Sequence, residues 1–88
     1  MNKNINILIV EDDTEINKLL CRILEKNNYN VRGAFSGTEA EMCIEKYDFQ
    51  LVLLDLMLPG ITGEKLIEKI RKIRTMPVIV INSSRNKN

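Results

Sequence analysis

The stretch LVLLDLMLPG, residues 51 to 60, places four aliphatic residues directly before a carboxylate, Asp55, and closes on a Pro-Gly pair. An apolar run this short does not make a helix; it fits a strand buried on both faces, as in a parallel sheet. Burying an unpaired carboxylate costs on the order of several kcal/mol, so chains avoid it or find it a partner. Asp55 therefore either escapes to solvent where the strand ends or belongs to a site.

Outward from this stretch, INILIV (5 to 10) and PVIVI (77 to 81) are two further aliphatic runs of strand length, and YNVRGAF (29 to 35) is a weaker one interrupted by Gly33. Between them the spacing predicts helices. Ile16, Leu19, Leu20, Ile23 and Leu24 recur with helical period, with Asp13 or Thr14 placed to cap the start and Asn27-Asn28 the end. A second helix runs from about Thr38 with Ala40, Cys43, Ile44 and Tyr47 on one face; a third carries Leu66, Ile67, Ile70 and Ile73 inward. Pro59 and Gly60 fix a turn just beyond Asp55, and Gly63 precedes the third helix. The order βαβαβαβ, with short connections, predicts an α/β fold: a parallel sheet, helices on both faces, right-handed crossovers. The tail from 82 to 88, NSSRNKN, is polar and without period.

Composition bounds the function. With 88 residues the chain is one small domain, and an apolar fraction of 44% with 28% charged is ordinary for a globular protein. The net charge of +1 is not gathered into a basic stripe, which gives no support to nucleic-acid or membrane binding through bulk electrostatics. The absence of histidine argues against a zinc site, a catalytic triad and a histidine base. Cys21 and Cys43 fall inside predicted helices without metal-ligand spacing and read as reduced thiols. No segment reaches the roughly 20 apolar residues of a membrane span, and the amino terminus lacks the features of a secretory signal, so a cytoplasmic location is expected.

In a parallel sheet all strands end on one edge, and ligands sit beyond those carboxyl ends. Glu11 and Asp12 follow the first strand and Asp55 follows the third. If those strands are neighbours, three carboxylates converge, and they repel unless a cation neutralises them. Magnesium is the natural ion: it accepts a few carboxylate oxygens, keeps waters, and leaves room for phosphate oxygens. The residues thus predict a magnesium-assisted phosphoryl site in which one Asp could be the nucleophile. Asp13 reads instead as a helix cap.

The segments ILIVEDD (7 to 13), LVLLDLMLPGITG (51 to 63) and MPVIVI (76 to 81), in that order and spacing, resemble the receiver domain of two-component response regulators. The resemblance covers residues 5 to 81, with 1–81 as a partial receiver and 82–88 as its tail. It implies a flavodoxin-like three-layer α/β/α fold with strand order 2-1-3-4. It further implies that Asp55 is the phosphoacceptor for a sensor histidine kinase. Magnesium would be held by Glu11, Asp12, Asp55 and the backbone carbonyl of Met57, and the domain would be a signalling module, not an enzyme. Such domains commonly control an attached output domain, often a DNA-binding one.

The departures from the family pattern carry expectations too. Asn82 falls where the family has a Thr or Ser that bonds the phosphoryl group; the Asn amide can donate in its place, or Ser83 or Ser84 can after a backbone shift. The family's fourth helix, fifth strand and fifth helix have no counterpart here, nor does its fifth-strand lysine. Losing that cation would remove on the order of a few kcal/mol of phosphoryl stabilisation. The fourth strand would then be a sheet edge with apolar faces, which predicts self-association through it. Two alternatives stand beside the receiver reading. One is a non-phosphorylatable module that binds a kinase or a full-length partner. The other is an aspartyl-nucleophile phosphatase, against which Met57 speaks, because such enzymes place a second Asp there.

Overall fold

The computed structural model describes residues 5–81, and the chain alternates strands and helices in the order the sequence predicts. The strands are β1 (Asn6–Val10), β2 (Asn30–Ala34), β3 (Leu51–Asp55) and β4 (Val78–Ile81), and the helices α1 (Thr14–Lys26), α2 (Gly37–Lys46) and α3 (Gly63–Ile73). All strand pairs are parallel, and the sheet order is β2-β1-β3-β4.

The helices start alike. Asp13, Ser36 and Thr62 are the N-caps, and each side-chain oxygen accepts the backbone N–H three residues on, from Ile16, Glu39 and Lys65. Each such cap contributes about 1 kcal/mol. At the other end of α1 the chain turns through Asn28, whose φ of 71° lies in the left-handed region that Asn tolerates.

The pleat divides the sheet into two faces. Leu8, Val10, Ala34, Val52 and Leu54 point to one side and pack with Ala40, Cys43 and Ile44 of α2 and Leu66 and Ile70 of α3. Phe49, Leu58 and Met76 close this core at its margins. Arg74, just past α3, ties it to α2: its Nε donates to the Ile44 carbonyl at 2.9 Å, and it pairs with Asp48 at 2.6 Å.

Among the described residues the opposite face is covered by α1 alone, which lies over β2 and β1. Burial falls off across it accordingly: Ile7 and Ile9 on β1 are buried, Leu51 and Leu53 on β3 half-buried, and Ile79 on β4 is 52% exposed. The apolar stripe of α1 is only partly covered, leaving Leu19 and Ile23 about half exposed. Two expectations about helix faces are therefore corrected. Leu19 and Ile23 follow the helical period but reach past the strands beneath α1. Tyr47 is not on the inward face of α2: it is the C-cap residue with extended backbone, exposed, its ring under the Arg32 guanidinium at 4.1 Å and edge-on to Phe49.

Candidate functional site

The register of β1 and β3 builds the site. Val10 pairs with Leu54, so one further step along both strands sets Glu11 level with Asp55 at the carboxyl edge of the sheet. Glu11 and Asp55 are buried and Asp12 is half-buried. One oxygen from each of Glu11, Asp12 and Asp55 lies within 4.8 Å of the others. Among the described residues this is the one group of three such side chains close enough to share an ion.

Hydrogen bonds fix how each acid enters the cluster. The Glu11 N–H donates to the Ala34 carbonyl at 3.0 Å, carrying the β1–β2 ladder one residue past the strand. Glu11 Oε2 accepts the Asp13 N–H at 2.9 Å, which bends the chain toward α1. Asp13 itself turns away to cap α1, its Oδ1 accepting from Ile16 at 3.1 Å, as its position before the apolar repeat predicts. On the other strand Asp55 Oδ1 accepts the Met57 N–H at 3.0 Å, an Asx-turn that folds the start of the loop back on the carboxylate. The Leu56 N–H donates to the Ile81 carbonyl at 3.3 Å, so the end of β4 borders the same rim. A hollow lined by Leu58, Ile61, Lys65 and Lys69 lies further along the β3–α3 connection and takes in none of the three acids. Charge, not concavity, marks the site.

The donor set suits a hard cation. It consists of oxygens alone, two of the three carboxylates are withdrawn from water, and buried charges of one sign are ordinarily paired or metal-bound. Magnesium binds oxygen at about 2.1 Å, so opposite ligands on one ion stand about 4.2 Å apart. The observed span of at most 4.8 Å is close to that separation. Asn82 and Ser83 lie outside the described residues.

Asn17 escaped the sequence reading. It is wholly buried in α1, its amide donating to the Glu11 carbonyl at 2.9 Å and the Ala34 carbonyl at 3.0 Å. Gly33 makes room for it: a Cβ there would overlap Asn17 Oδ1 and stand 3.4 Å from Cys21 Sγ. The available signals were a polar residue at an inward helical position and a glycine interrupting a strand. They point to each other only once α1 is laid over β2.

Comparison with known proteins agrees with this architecture. The family described as the response regulator receiver domain matches residues 7–88. The regulatory protein VanR of Enterococcus faecium is 41% identical over 75 residues, 85% of this chain and 32% of VanR. The transcriptional regulatory protein ResD of Bacillus subtilis is 36% identical over 77 residues, 88% of this chain and 32% of ResD. The chain thus spans about a third of the length of these curated relatives. Among solved structures, a CheY-like receiver domain protein from Methanospirillum hungatei superposes with a TM-score of 0.87 at 38% identity, covering 91% of this chain and 65% of that one. The non-phosphorylated HemR receiver domain of Leptospira biflexa gives 0.83 at 34% identity, covering 96% and 68%. With this sheet order, three acids on one rim and the family match over nearly its whole length, the chain belongs to the response regulator receiver domain family.

Proposed function

We propose that this chain is the phosphoacceptor of a two-component phosphorelay, with Asp55 taking a phosphoryl group from the phosphohistidine of a sensor histidine kinase. The observation that carries the reading is the approach of Glu11, Asp12 and Asp55 to within 4.8 Å at the carboxyl edge of the sheet. In the transfer an Asp55 carboxylate oxygen forms a bond to phosphorus, the phosphorus–nitrogen bond breaks, and the departing imidazole takes up a proton. Glu11, Asp12, Asp55 and the Met57 backbone carbonyl would hold magnesium; the bound ion would offset the charge of the carboxylates and the incoming phosphoryl oxygens. The Asx-turn to Met57 orients Asp55, and Asn82, or Ser83, would donate to a phosphoryl oxygen. The same reading makes the chain a cytoplasmic signalling module without turnover of its own beyond slow dephosphorylation.

The test is to treat the 88-residue chain with a small acyl-phosphate donor and magnesium and weigh it intact. Gain of one phosphoryl group, lost in Asp55→Ala and in chelator, is the expected result. No gain with a folded chain would contradict phosphoacceptance and leave a receiver-derived binding module. Turnover of a small phosphate ester would point instead to a phosphatase.

A second property has its own support. In the described sheet β4 pairs with β3 and is an edge strand, with Ile79 52% and Val80 40% exposed. An apolar edge of this kind is a template for another strand. The 88-residue chain is expected to self-associate through it. Light scattering showing a folded monomer at micromolar concentration would contradict this.

A further inference from the structure

We infer that Asn17 is a positioning residue for Asp12: from the buried face of α1, its amide holds the peptide between Glu11 and Asp12 in the orientation that brings Asp12 to the shared ion. This rests on reading the three carboxylates as a metal site.

Asn17 is the single wholly buried residue of the thirteen in α1, at a position where the helical pattern calls for an aliphatic side chain. An amide buried without partners is destabilising, so its bonds must justify its place. A side-chain amide has two N–H donors, and both find acceptors: the Glu11 carbonyl at 2.9 Å and the Ala34 carbonyl at 3.0 Å. The Ala34 carbonyl already accepts the Glu11 N–H. The Glu11 carbonyl is the informative partner. It belongs to the peptide whose N–H is that of Asp12, and peptide planarity makes the two groups turn together. Fixing that carbonyl fixes the plane of the peptide from which Asp12 departs.

The other end of the amide is fixed as well. Oδ1 accepts from Cys21 Sγ at 3.5 Å and lies over Gly33, where a Cβ would displace it. The Asn17 backbone N–H donates to the Asp13 carbonyl at 2.9 Å, within the first turn of α1. The side chain is thus held from the helix, from β2 and from the β1–α1 junction at once. An aliphatic residue could fill the space, but it would remove the donor that α1 presents to the Glu11 carbonyl.

A purely structural role would also make Asn17 substitutions destabilising, so the test must separate stability from ion affinity. Magnesium is titrated into the 88-residue chain, followed by backbone amide NMR shifts, with thermal unfolding measured in chelator. Asn17→Leu removes both donors while keeping the branched skeleton of the side chain. Ile70→Val, in the core on the other face of the sheet, serves as a loss of stability away from the site. Removing an outer partner of a metal ligand commonly weakens binding by about 10–100-fold, and at least a tenfold loss is expected for Asn17→Leu with none for Ile70→Val. Unchanged affinity in Asn17→Leu would overturn the inference, as would an equal loss in Ile70→Val. If the parent chain itself shows no magnesium-dependent shifts, the metal-site reading has failed, and the failure is visible before any variant is compared. Should Asn17→Leu not fold, Asn17→Ser, whose hydroxyl is too short for both carbonyls, carries the same comparison.

Discussion

Asp55 Oδ1 accepts the backbone N–H of Met57 at 3.0 Å, so one carboxylate of the cluster also folds the loop that follows it. Two substitutions separate these roles. Asp55→Asn keeps an acceptor for Met57 and removes one of three crowded negative charges. Without divalent ions it is expected to raise stability by about 1 kcal/mol, because it relieves repulsion among three carboxylates whose oxygens lie within 4.8 Å of one another. Asp55→Ala also loses the turn and should unfold at lower temperature than Asp55→Asn, by an amount equivalent to about 1 kcal/mol. Thermal unfolding in chelator checks both.

Magnesium should stabilise the parent chain by mass action. At ten times its dissociation constant a ligand that binds only the folded state adds about 1.4 kcal/mol. For a domain of this size that is a rise of roughly 6–11 °C in unfolding midpoint. The rise should vanish in Asp55→Asn, and sodium at equal ionic strength should not reproduce it.

Much of this was legible in the letters. The aliphatic runs located β1, β3 and β4 to within a residue, and Asp13 and Asn27-Asn28 marked both ends of α1, because strand burial and helix capping are local chemistry. What stayed hidden depends on which element covers which. Leu19 and Ile23 share the period of Ile16 and Leu20, yet only the placement of α1 over β2 and β1 leaves them half exposed. Asn17 went unremarked because its acceptors are backbone carbonyls, which no side-chain pattern advertises. Tyr47 fitted the α2 face by spacing, but the helix ends at Lys46 and the ring turns to Arg32.

The glycines differ in a way that can be measured. Gly33→Ala would force a Cβ against Asn17 Oδ1 and is expected to cost about 2–3 kcal/mol through overpacking, weakening magnesium binding with it. Gly60 has a φ of +82° and open space around it, so Gly60→Ala should cost about 1 kcal/mol from backbone conformation alone. Urea unfolding of the two variants should rank them in that order.

Burial raises the pKa of both thiols. At Cys21 the nearby Glu25 adds to the effect; at Cys43 Arg32 and Lys46 offset part of it and Glu39 adds to it. Alkylation at neutral pH should therefore be slow, with half-maximal rate reached above the ordinary thiol value of about 8.5. Cys21, half-buried, should react before Cys43. A thiol that holds its proton more tightly folded than unfolded contributes stability that is complete below the ordinary thiol pKa. That contribution is lost as pH rises through the folded value, so stability should decline on the alkaline side.

The central claim is that Glu11, Asp12 and Asp55 serve one ion. Crystals grown with manganese in place of magnesium test it most directly, because the anomalous signal locates the metal without ambiguity. A single site within bonding distance of Asp12 and Asp55 oxygens, with Glu11 bound directly or through one water, is the predicted result. Well-ordered crystals with manganese elsewhere, or with none between those strand ends at millimolar metal, would contradict it.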